Sequence, residues 1–81
     1  MAEVFRHKGL RIVVYSNDHP PAHVHLLRGA ESPDEAKFAL DVDGVALVWS
    51  VGFKASEVRS AGQAITGRLA LCWAKWREIH G

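Results

Sequence analysis

The sequence predicts an α+β fold: a small, mainly antiparallel sheet of four to five strands, packed by one long or broken C-terminal helix. Three observations point there. Apolar residues alternate with polar ones at period two through the first half, then recur every three to four residues in the second, with the switch near Phe53. Turn-forming pairs, Lys8-Gly9, Pro20-Pro21 and Asp43-Gly44, separate the alternating runs. Finally, 81 residues, 48% hydrophobic and 23% charged, suit one globular domain and are too few for two. The expected organisation is a single domain over 1–81, with sheet over 1–52 and helix over 53–81.

Each element has its own signal. Leu10–Tyr15 (L-R-I-V-V-Y) is β-branched and aromatic, and Ala2–His7 pairs with it across Lys8-Gly9. Ser16–Pro21 is a turn, because Asn17, Asp18 and the two prolines all favour one. From Ala22 the alternation sends Ala22, Val24 and Leu26 to one side, and His23, His25 and Leu27 to the other. Arg28–Asp34 is a loop, and Glu35–Asp41 alternates again, with Ala36, Phe38 and Leu40 apolar. Asp43-Gly44 predicts a tight hairpin turn with positive φ. The nearly all-apolar run Val45–Val51 predicts a strand buried on both faces or covered by a partner.

The remaining residues predict a helix of roughly 25 residues, ~37 Å at 1.5 Å per residue, capped by Ser56. Val58, Ala61, Ile65, Leu69, Cys72, Trp76 and Ile79 form its apolar stripe. A strand spans only ~17–20 Å. The helix therefore breaks near Gly62 or Gly67, or it overhangs the sheet and leaves Trp73 and Trp76 wanting cover.

A formal net charge of +1 is far from the basic excess of a dedicated nucleic-acid binder. Five histidines are the compositional oddity, able to add positive charge below about pH 6.5. The single cysteine, Cys72, allows no intrachain disulfide. The stretch MAEVFRHKG is not apolar enough for a signal peptide, and no run approaches a membrane span, so the expectation is a cytoplasmic protein. There is no G-x-G-x-x-G, P-loop, G-x-S-x-G or H-E-x-x-H motif.

Chemistry concentrates in Asn17-Asp18-His19-Pro20-Pro21-Ala22-His23-Val24-His25. Residues 23 and 25 leave the same face of a strand ~6.5–7 Å apart, and His19 lies in the preceding turn. Glu35, Lys37 and Asp41 share the outward face of the next strand. Three readings stay open. The histidines are solvent-facing strand residues; or His19, His23 and His25 supply three ligands to zinc, nickel or copper; or they do acid–base work on RNA. In the last case His23 or His25 is general acid or base, His19 its counterpart, and Lys37 or Arg11 neutralises phosphate charge. Arg11, Asp18 and Glu35 complete the candidate binding set, although Asp18 is most simply a turn former. Cys72 reads as a buried inert thiol, and Trp49, Trp73 and Trp76 as core or interface.

The run Tyr15–His25 resembles a small bacterial family, domain of unknown function number 4160. The resemblance covers nearly the whole chain. Arg11-Ile12-Val13 leads into an N-[DE]-H-P-P-x-H-x-H motif, followed by Glu35-Ala36-Lys37-Phe38, the Gly52-Phe53 step, and a closing W-x-x-I-H-G made by Trp76, Ile79, His80 and Gly81. Many members carry a third proline before the second histidine, where this chain has Ala22. Such genes are often found beside domain of unknown function number 2442, an arrangement similar to a type II toxin–antitoxin pair. The resemblance thus implies a small cognate protein partner and an RNA-directed toxin activity, without need of a metal. The alternative expectation is a non-catalytic binding module, with zinc or nickel on His19, His23 and His25 or with a protein partner. A third is a homodimer with Trp73 and Trp76 in its seam.

Overall fold

The computed structural model describes residues 1–29 and 31–81. Five strands, β1 (Ala2–His7), β2 (Leu10–Val14), β3 (His23–Leu27), β4 (Glu35–Leu40) and β5 (Val45–Val51), are followed by helices α1 (Ala55–Gly67) and α2 (Leu69–His80). The strands form one antiparallel sheet in chain order, β1 and β5 at its edges. The predicted α+β class is therefore the observed one. Lys8 and Gly9, at φ 51° and 78°, make the β1–β2 connection. Positive φ at both central residues matches the right-handed strand twist, as in a type I′ turn.

Alternation sorts the sheet into two faces. Ile12, Val14, Val24, Leu26, Ala36, Phe38 and Leu40 pack against Ala61, Ile65, Cys72 and Trp76 of the helices. Each of the Val, Leu, Ile and Phe side chains among these contributes about 1.5–3 kcal/mol when taken fully out of water. Every residue of the predicted helical stripe is in this core or packed on it. The opposite face carries the cross-strand row Glu3, Val13, His25, Lys37 and Trp49.

The helix breaks at Arg68, whose φ and ψ of −124° and 33° are not helical. Gly67, just before it, is a weak helix former. The two pieces, 13 and 12 residues, are ~20 and ~18 Å long, so each matches a strand and nothing need overhang. Gly62 stays inside α1, where a Cβ would sit 3.4 Å from Phe38 Cε1. Trp76 is buried, and Trp73 is partly buried with its indole N–H donating to the Asp41 carbonyl at 2.9 Å. The helix end is thus covered by its own chain. No helix among the described residues is long and apolar enough to cross a membrane.

Three further local expectations are corrected. Ser56 is not the N-cap: the Lys54 N–H donates to Glu57 Oε1 at 2.9 Å, so the helix starts at Ala55 and Ser56 already lies in its first turn. Asp43-Gly44 does not use positive φ. The β4–β5 connection spans 41–44, is closed by Asp41 N–H to Gly44 O at 2.8 Å, and is steadied by the Asp41 carboxylate accepting from the Val42 N–H. And β5 is not buried on both faces, because it is an edge strand, hydrogen-bonded on one side to β4. Leu47, Val48, Trp49 and Val51 are all exposed.

Candidate functional site

The turn between β2 and β3 carries Asp18 back to the face of the sheet that presents His23 and His25. The Asp18 N–H donates to Tyr15 O, and the Tyr15 N–H donates to Asp18 Oδ2 at 3.0 Å. One carboxylate oxygen is thereby tied to backbone and the other is aimed inward. Asp18 Oδ1 lies 3.3 Å from His23 Nε2 and 3.3 Å from His25 Nε2. The imidazoles are not solvent-facing: His23 is 4% and His25 7% exposed. Aromatic rings cover them, with Tyr15 4.7 Å from His25 and Trp76 5.2 Å from His23 between centroids.

The far nitrogens settle how each ring is held. His23 Nδ1 is 2.8 Å from the Pro21 carbonyl. A carbonyl only accepts, so Nδ1 carries the proton and donates. In neutral His23 the Nε2 lone pair then points toward a carboxylate oxygen, a repulsive contact unless a proton or a metal ion lies between. His25 Nδ1 is 2.9 Å from Glu35 Oε2, an ion-pair contact out of line for a hydrogen bond, so this buried nitrogen has no other partner. His25 therefore has a carboxylate against each ring nitrogen.

Asp18 responds to both surroundings. Burial raises its pKa, but the Tyr15 N–H bond and the neighbouring His25 and His23 outweigh burial and hold the carboxyl below its ordinary value. The phenol of Tyr15 moves the other way, raised by burial and by the charges of Glu35 and Asp18. Chemically, an ionised carboxylate and two imidazoles converge: Asp18, His23 and His25 present ligand atoms all within 4.8 Å of one another, a group able to hold a metal ion.

Of the residues singled out in the sequence, Asp18, His23 and His25 come together, with Glu35 behind His25. His19 is exposed on the turn and stands outside this group. Lys37 is the direct cross-strand neighbour of His25. Arg11 is paired with Glu3 at 2.8 Å. Asp41 is an exposed loop residue. Three contributors were not singled out for the site: the Pro21 carbonyl, Tyr15 and Trp76. A backbone carbonyl leaves no mark in a list of side-chain types, and Trp76 arrives from a distant helix. Tyr15 alone had a signal, being the residue that opens the turn.

No curated protein and no solved structure matches the chain. Residues 9–77 match the family described as Domain of unknown function (DUF4160), and the chain belongs to that family.

Proposed function

We propose that this domain is a metal-binding module in which Asp18, His23 and His25 hold one divalent cation, zinc being the best match to the donor set. The observation that carries the reading is the pair of 3.3 Å separations from Asp18 Oδ1 to the two Nε2 atoms. Ligands ~2.0–2.1 Å from a tetrahedral zinc lie ~3.3–3.4 Å from one another. The outer contacts support it as well. Metal-bound histidines commonly give their second N–H to a carbonyl or a carboxylate, and Pro21 O takes that place for His23, while Glu35 lies beside His25 Nδ1 without hydrogen-bond alignment.

The RNA-directed reading needs an imidazole open to a phosphate, and exposures of 4% and 7% argue for the metal instead. The wider setting, one component of a toxin–antitoxin-type pair, draws support from β5, whose exposed Leu47, Val48 and Val51 offer an apolar edge to a partner protein. Its test is growth inhibition by the induced chain, lost in a His23→Ala, His25→Ala version. The metal reading is tested by titrating zinc into tag-free protein in a calorimeter. Asp18→Asn weakens binding by at least about 100-fold, beyond the 10–100-fold typical of a second-shell partner, and His19→Ala leaves it unchanged. Equal affinities for wild type and Asp18→Asn refute the assignment.

A further inference from the structure

The last turn of α2 reaches the candidate metal site by two routes, although the ligand group takes none of its residues. Trp76 and His80 are four apart and so share one face of the helix, where their ring centroids lie 4.1 Å apart. Trp76 covers the His23 ring at 5.2 Å. His80 Nε2 lies 3.1 Å from the carbonyl oxygen of Tyr15, 65 positions earlier in the chain. A carbonyl only accepts, so this nitrogen carries the proton and donates. Gly81, at φ 78°, closes the helix with its N–H donating to Arg77 O at 2.8 Å, a cap that holds the final turn in place.

The Tyr15 carbonyl is the one that also accepts from the Asp18 N–H at 3.2 Å, while the Tyr15 N–H donates to Asp18 Oδ2 at 3.0 Å. Both polar groups of one backbone residue therefore set where the carboxylate stands, and His80 holds that residue from outside the turn. The need for such a hold falls on Asp18 alone. His23 and His25 stand on β3, whereas residues 16–21 lie in neither strand nor helix, and a group on a loop is positioned less accurately than one on a rigid element. Resting on the metal reading above, we infer that His80 is a positioning residue of the site: its Nε2–H, through the Tyr15 carbonyl, fixes the Asp18 carboxylate against the two imidazoles before the ion arrives. A ligand set held in place beforehand loses less freedom on binding and so binds more tightly. The coupling is reciprocal, since a bond that strengthens zinc binding is itself strengthened by zinc.

Zinc calorimetry on two variants separates the donor from the ring. His80→Phe keeps an aromatic ring against Trp76 but has no donor; His80→Gln loses the ring, but its amide N–H still reaches the carbonyl. The expected result is zinc binding about tenfold weaker in His80→Phe, the range in which groups behind the ligands act, and close to wild type in His80→Gln. In the wild-type chain, which needs no variant to fold, the ring-nitrogen NMR shifts of His80 move further toward the Nε2-protonated form as zinc is added. Equal affinity in His80→Phe and wild type, equal weakening in the two variants, or ring-nitrogen shifts unmoved by bound zinc overturns this inference while the metal site stands. A wild-type chain that takes up no zinc removes the metal site and the inference together.

Discussion

Gly52 joins the sheet to the helical layer, and its replacement by alanine has a cost that can be worked from its surroundings. Its φ is +84°, a region that costs an alanine about 1–2 kcal/mol. The new Cβ would also run into the Asp34 carboxylate and lie 3.1 Å from Asp34 Cβ. Asp34 is not free to step aside without consequence, because its carboxylate accepts from Arg28 Nε at 2.6 Å and its N–H donates to Ser32 Oγ at 3.1 Å. Forcing atoms into filled space costs about 1–3 kcal/mol. The summed expectation for Gly52→Ala is a loss of about 2–5 kcal/mol, read by urea unfolding followed through tryptophan fluorescence. In an Asp34→Gly background both the carboxylate and the Cβ at 3.1 Å are gone, and the cost falls to the backbone value of about 1–2 kcal/mol. Equal costs in the two backgrounds, or a wild-type cost below about 0.5 kcal/mol, would refute the steric account.

The same substitution at Gly62 has the opposite sign. Its Cβ would meet Phe38 Cε1 at an ordinary 3.4 Å, so the helix-propensity gain of about 0.5–1 kcal/mol survives and Tm rises by about 2–8 °C; a fall in Tm would show that the Phe38 ring has no room. For Cys72, burial pushes the thiol up to about 11, whereas in the unfolded chain it ionises near ~8.5. Its contribution to stability is fully present below the unfolded value and is lost as pH rises from there toward 11, because only the unfolded state releases the proton. Urea midpoints should therefore fall less between pH 8 and pH 10.5 in Cys72→Ala than in wild type, and parallel pH profiles would contradict the burial argument.

What the sequence made legible was whatever rests on period and local chemistry. Alternation located the strands from Ala22 and Glu35 and separated His23 and His25 from Val24 and Leu26, β-branched and aromatic content located Leu10–Tyr15, and the three-to-four spacing found the whole helical stripe. Non-local facts were not legible. The apolar run Val45–Val51 looks the same whether it is enclosed or at an edge, since strand order decides that and composition does not. Residue type favoured His19 over Asp18 as the third member of the cluster. The turn's own hydrogen bonds, Tyr15 N–H to Asp18 Oδ2 and Asp18 N–H to Tyr15 O, are what swing the carboxylate inward and leave His19 in solvent. Ser56 was a fair N-cap by type, but the Glu57 side chain reaching back to Lys54 moved the helix start toward the sheet.

The central claim is that Asp18, His23 and His25 hold one metal ion, and the count of ions per chain tests it most directly. Native mass spectrometry of tag-free protein, exchanged into a volatile buffer with a modest excess of zinc, reads that count without any assumption about activity. The account predicts one zinc on the wild-type chain and none on a His23→Ala, His25→Ala version that circular dichroism shows to be folded. A wild-type chain that takes up no zinc, or a folded double variant that keeps it, would contradict the account.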